Sequence, residues 1–167
     1  MNAVGIDVSK GKSTVAIMRP FGEVVAEPFE VSHTDAELRK LACFLEKLPG
    51  ETRIVMEYTG SYWQPIAKVL HDAGLFVSAV NALLIYKYGN NSIRKGKTDK
   101  LDAVKIANYC LDHWADLERY AQNMPSPVRP VHKIEGQSQK QSDRAAGWDV
   151  PWPQYPVQKC PQGYGWA

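Results

Sequence analysis

The chain is poor in cysteine, has no long apolar run and carries almost no excess of charge. Its three cysteines, Cys43, Cys110 and Cys160, are an odd and scattered set among 167 residues. Without a CxxC pair, neither a zinc ribbon nor a disulfide framework is indicated, and free thiols point to a reducing cytoplasm. No apolar stretch approaches the roughly 20 residues that span a bilayer, and the N-terminus lacks a charged-then-apolar leader. A soluble cytoplasmic protein with no membrane partner is the expectation. The formal net charge is only +2, so affinity for nucleic acid has to come from local segregation of charge. Residues 1–124 hold 15 basic and 15 acidic side chains, which enforces the same conclusion.

Past residue 124 the chain lacks the material of a core. Residues 125–167 contain no Leu and no Phe, yet hold seven of the 11 prolines and three of the five tryptophans. Gln, Ser, Lys and Pro dominate there, a composition that buries too little to order itself. The expected organisation is one domain over 1–124 and a Pro-rich tail over 125–167, disordered or loosely draped. The tail reads as foreign to what precedes it, as a frameshifted or truncated gene would produce.

What is present upstream is regular. Residues 3–8 alternate, with Val4, Ile6 and Val8 on one face and Ala3, Gly5 and Asp7 on the other. Residues 13–19 form a second strand, and Pro20-Phe21-Gly22 turns into a third over 23–31, giving an antiparallel meander. Thr34 or Asp35 caps a helix with Leu38, Leu41, Ala42, Leu45 and Leu48 inward, ended by Pro49-Gly50. A buried strand over 53–57, a helix through Trp63, Ile66, Ala67 and Leu70, and a fifth strand over 75–80 follow. A short helix over 82–89 leads to a basic loop. A long helix from about 99 to 120 then turns Leu101, Val104, Leu111, Trp114 and Leu117 inward. Three strands followed by alternating helix and strand predict an α/β fold of ribonuclease-H-like topology, a mixed five-stranded sheet flanked by helices.

Four acids stand at element ends. Asp7 closes the first strand and Glu57 the fourth, which the topology lays beside the first. Asp99 and Asp102 share one face at the start of the long helix. Each has an ordinary reading: Asp7 bonded to turn amides, Glu57 capping the next helix or pairing with a lysine, and Asp99 with Asp102 as a capping box that complements the helix dipole. Carboxylates that converge repel one another and are held together by divalent cations. His33, His71, His113 and His132 are dispersed without metal-ligand spacing.

Gly5-Ile6-Asp7-Val8-Ser9-Lys10, Met56-Glu57-Tyr58-Thr59-Gly60 and Lys97-Thr98-Asp99-Lys100-Leu101-Asp102-Ala103 occur in this order. Together they resemble the DEDD transposases of bacterial insertion sequences, whose N-terminal domain is similar to the RuvC Holliday-junction resolvase. The resemblance covers residues 1–124. It implies that Asp7, Glu57, Asp99 and Asp102 are the catalytic, metal-binding tetrad, holding two Mg²⁺ ions with Mn²⁺ as a substitute. It also implies metal-dependent DNA cleavage and strand transfer, DNA and a guide (bridge) RNA as partners, a homo-oligomer, and a second domain bearing a nucleophilic serine. Val80-Asn81 resembles a further family segment, although Ala82 stands where the family usually has proline. Residues 125–167 show no likeness to the serine domain, so a folded fragment that binds nucleic acid without cutting it is the second expectation.

Lys87, Arg94, Lys95, Lys97 and Lys100 concentrate positive charge before and beside Asp99 and Asp102, with Lys10 and Lys12 in the first hairpin adding to them. Such a surface neutralises phosphates, and Tyr86 and Tyr88 are placed to stack on unpaired bases. A solvated loop of balanced charge is the plain alternative. An actin-like ATPase domain also begins with an Asp-bearing strand before a hairpin. Its phosphate turns need small residues where this chain has Ser9-Lys10, and no second Gly-rich loop follows.

Overall fold

The structure, a computed structural model, describes residues 1–58, 60–89 and 99–121. Alternating small and β-branched residues form β1 (Asn2–Val8), β2 (Lys12–Arg19) and β3 (Glu23–Ser32), paired antiparallel in sequence order. Gly11 takes a φ of 80° in the first turn. In the second, Phe21 between Pro20 and Gly22 adopts a φ of 64°, a left-handed conformation costing a bulky residue about 1–2 kcal/mol. α1 (Asp35–Glu46) starts at Thr34, whose side chain accepts the Glu37 amide, so Thr34 rather than Asp35 is the cap. β4 (Thr52–Tyr58), α2 (Trp63–Asp72), β5 (Phe76–Asn81), α3 (Ala82–Gly89) and α4 (Asp99–Asp112) complete the order.

The sheet runs β3-β2-β1-β4-β5, with β4 parallel to β1 and β5 parallel to β4. This is the mixed five-stranded sheet that the element order implies. β3 is an edge, and Pro28 with Glu23, Glu27 and Glu30 makes it a poor template for another strand.

Its two faces are built from different residues. Val4, Ile6, Val15, Ile17, Ile54 and Met56 meet Leu38, Leu41 and Leu45 of α1 and Ile66, Ala67 and Leu70 of α2 in the larger core. The opposite face is thinner, with Ala3, Ala16, Met18 and Val55 against α4 and Ile85 of α3. At its centre β1 has no side chain. A Cβ on Gly5 would stand 2.2 Å from the Ala103 carbonyl oxygen and 2.3 Å from the Ala107 nitrogen. Helix backbone therefore lies directly on strand backbone.

That close approach corrects the expected inward stripe of the last helix. Its buried residues are Ala103, Ile106, Ala107, Tyr109 and Cys110. Leu101 is 50% exposed, and Val104, Leu111, Trp114 and Leu117 only pack against the margins. Large side chains would hold the helix off the sheet, so alanines occupy the contact line. The helix also stops at Asp112 rather than near 120 and gives way to a 3-10 turn at Trp114–Asp116. The chain then crosses back, the Tyr120 amide donating to the Val77 carbonyl.

Cys110 is a free buried thiol, pushed up to about 12 by desolvation, so it is inert. Cys43 is disulfide-bonded, which departs from the expectation of three free thiols. Among the described residues no helix is long and apolar enough to cross a membrane.

Replacing Gly5 with Ala has to push α4 off β1, because the atoms in the way are backbone. We expect destabilisation of about 1–3 kcal/mol, the usual cost of overpacking, read as a lower midpoint in chemical denaturation. An unchanged midpoint would show that α4 does not sit on Gly5.

Candidate carboxylate site

Register brings two of the acids together. Ile6 lies beside Met56 in the parallel pair of β1 and β4, so Asp7 and Glu57, one residue further on, emerge side by side at the strands' carboxyl ends. By the strand's twofold alternation Asp7 shares the face of Ala3 and Gly5, and Glu57 that of Arg53 and Val55. Both thus stand on the side that α4 covers.

α4 supplies the other two. Its far end lies over the strand starts, where the Cys110 thiol donates to the Arg53 carbonyl at 3.6 Å. Its middle, between Ala103 and Ala107, covers Gly5. The helix therefore runs antiparallel to β1, with its N-terminus at the carboxyl end of the sheet. Two strand residues advance about 6.6 Å and four helix residues about 6 Å. Moving from Gly5 to Asp7 is thus matched by moving from the Ala103–Ala107 contact up to the first turn, which holds Asp99 and Asp102.

Asp7, Glu57 and Asp102 are half-buried and Asp99 is exposed. Among the described residues no three His, Cys, Asp or Glu side chains are already grouped closely enough to hold a metal ion. Backbone placement brings the acids to one end and one face of the sheet, and the side chains do not converge further. Thr14, which a reading of charges passes over, is the cross-strand partner of Asp7 and is 4% exposed. It stands beside Asp7 on β2.

The basic side chains divide. Lys10, Lys87 and Lys100 are exposed. Lys12 is engaged with Glu30 at 2.6 Å. Arg94, Lys95 and Lys97 lie outside the described residues. Tyr86 is 60% exposed, as a stacking platform requires. Tyr88 is not, and here the expectation needs correcting. Its hydroxyl donates to Asp112, and its ring meets Tyr109 and His113 edge-on. Burial and that carboxylate raise its pKa. Tyr88 ties α3 to α4 rather than facing a ligand.

Comparison with known proteins bears on the family and the fold. The family model DEDD_Tnp_IS110, described as a transposase, matches residues 4–127. The chain is similar to the Thermus thermophilus RuvC structure at a TM-score of 0.52 and 12% identity, covering 68% of this chain and 95% of that one. It is similarly related to T. thermophilus RuvC in complex with a Holliday junction substrate, at a TM-score of 0.51 and 12% identity, over 70% and 96% of the two chains. At such identities the likeness establishes the fold, which is RuvC-like and ribonuclease-H-like. No curated protein matches the sequence.

The turn beside Asp7 is held from behind. The Ser9 amide donates to the Lys12 carbonyl, and the His33 amide donates to that of Gly11, each at 3.0 Å. Ser13, 3% exposed, bonds its hydroxyl to His33 Nε2 at 2.8 Å. Burial lowers the His33 pKa from its ordinary 6.5, so the fold favours the neutral ring. The unfolded chain then binds the proton more readily. This contribution to stability is complete above pH 6.5 and is lost as the pH falls through the lowered native value. Thermal melts at pH 7.5 and pH 5 should show a larger acid loss for the native protein than for His33→Gln; equal losses would remove His33 from this role.

Proposed function

This chain belongs to the DEDD_Tnp_IS110 transposase family, and on that premise we propose that Asp7, Glu57, Asp99 and Asp102 hold divalent metal for cutting and joining DNA strands in transposition. The observation that carries the reading is the in-register exit of Asp7 and Glu57 on the face met by the first turn of α4. The donor set fits. Four carboxylates and no imidazole or thiolate make a hard, all-oxygen site suited to Mg²⁺, with Mn²⁺ as its substitute. The fit rests on donor chemistry and backbone placement, since the side chains are not yet grouped. A bound pair of such ions supplies an activated oxygen nucleophile and stabilises the leaving oxygen of a phosphodiester.

The chain's own residues do the rest of the work in this reading. Asp7 and Glu57 sit on paired strands, which restricts where their carboxylates point. Asp99 and Asp102 ride on a helix pinned by its backbone to Gly5. Lys87 and Lys100, with Lys10 across the sheet end, neutralise phosphates of DNA. The fold it shares with a RuvC seen on a Holliday junction supports branched DNA as the substrate class. A guide RNA that pairs donor and target strands, a cytoplasmic location and assembly with further copies belong to the same reading. The family match runs over residues 4–127, slightly past the boundary at 124 that this reading sets between the domain and a tail over 125–167.

Cleavage of a labelled four-way junction in Mg²⁺ or Mn²⁺ tests the proposal. Asp7→Asn, Glu57→Gln and Asp102→Asn should each lower nicking by about 100-fold or more, since even outer partners of a metal site are worth about 10–100-fold. Junction binding in EDTA should persist in all three variants. Binding without any metal-dependent nicking in the unmutated chain would favour the non-catalytic reading, a domain that holds DNA without cutting it.

A further inference from the structure

The row of side chains that holds two of the acids continues across the sheet on to β2 and β3. At the carboxyl end of β1, on the face that α4 covers, the order across the strands is Glu57, Asp7, Thr14 and Glu30. Alternation along β2 puts Thr14 on that face. Val15 and Ile17 enter the larger core, whereas Ala16 and Met18 meet α4. Thr14 follows the second pair, and it alone of the three carries a polar atom. It is 4% exposed.

Valine has nearly the same shape as threonine and the same preference for a strand. Burial favours valine, because a hydroxyl taken out of water without a partner is costly. A hydroxyl kept in such a place calls for an acceptor, and a carboxylate stands on either side of it. Glu30 is already engaged, by Lys12 at 2.6 Å. That leaves Asp7. The Ser9 amide donates to the Lys12 carbonyl, so these two residues close the hairpin as a hydrogen-bonded pair. Two steps along each strand, Asp7 and Thr14 form a pair of the same kind. Their Cα atoms then stand about 5.5 Å apart, a spacing across which cross-strand polar side chains bond. Among the described residues the Thr14 hydroxyl is not committed to any other group.

We propose that Thr14 is a positioning residue for the carboxylate site: its hydroxyl donates to one oxygen of Asp7 and leaves the other turned toward the metal. The inference rests on the proposed role of Asp7 as a metal ligand. A free carboxylate at a strand end offers two equivalent oxygens and rotates between them. A donor held on the next strand removes that choice, as the outer partners of metal ligands do. Threonine suits the task because its β-branched side chain is restricted at χ1, so the donor is itself held. A lysine at this place would compete with the cation, and an acid would add to the repulsion among the carboxylates.

Mn²⁺ binding to the full chain, followed by the electron paramagnetic resonance of the free ion, tests this when melting temperatures are taken alongside in EDTA. Asp7→Asn should abolish the site in question. Thr14→Val should weaken it by about 10-fold or more, with a melting temperature in EDTA equal to or above that of the unmutated chain. Thr14→Ser keeps the hydroxyl and should recover most of the lost affinity. A Thr14→Val chain that binds Mn²⁺ normally, or that melts well below the unmutated one, would overturn the role of Thr14 and leave the metal reading standing. So would a Thr14→Ser chain as weak as Thr14→Val. Mn²⁺ binding that survives Asp7→Asn unchanged would instead sink the metal reading, and this inference with it.

Discussion

Where α4 crosses β1 there is no side chain to separate them. Gly5 leaves room for the Ala103 carbonyl and the Ala107 amide to lie at strand-backbone distance, and the rest of the helix follows from that contact. Its rotation is set, because only alanines fit against the sheet. Its direction is set by the Cys110 contact at the other end. With both determined, the first turn has one place to go: the carboxyl ends of β1 and β4, where Asp7 and Glu57 emerge. Glycine and alanine contribute little apolar area here. Their contribution is position, and the proposed carboxylate site depends on it.

Stability and chemistry are thereby divided between the two faces of one sheet. The α1 and α2 side buries the large aliphatic residues, where each fully buried side chain is worth about 1.5–3 kcal/mol. The α4 side is thin, small-residue and polar toward its carboxylate end, with Thr14 and Ser78 buried among the strands. The aliphatic face carries most of the burial, and the thinner face carries the end at which the proposed carboxylate site stands. The Ser13–His33 bond on the turn after β1 links the two halves, since it holds the loop that follows Asp7 against the start of α1.

Much of this was legible in the residues. Period-two alternation in β1, a cap at Thr34 or Asp35 and the Leu stripe of α1 each follow from local rules, and the order of elements points to the ribonuclease-H-like sheet. The last helix was misread for an instructive reason. Hydrophobicity ranks Leu101, Leu111 and Leu117 above Ala103 and Ala107, whereas a backbone-to-backbone crossing selects by size. The spacing of Ala103 and Ala107, one turn apart and paired with a glycine on a strand, was the signal available. Tyr88 was misassigned similarly: its fate depends on Asp112 and Tyr109, which no neighbour in sequence reveals. The carboxylates were nominated by their neighbours in three short motifs, and the fold adds a common end and a common face.

The central claim is that the Gly5 contact assembles a metal site from β1, β4 and α4. Crystals soaked in Mn²⁺ and measured for anomalous scattering address it directly. The account predicts a peak among the carboxylates of Asp7, Glu57 and Asp102, lost in Asp7→Asn and displaced or weakened in Gly5→Ala. A manganese site elsewhere on the chain, or a peak at this end of the sheet that survives Asp7→Asn unchanged, would contradict it.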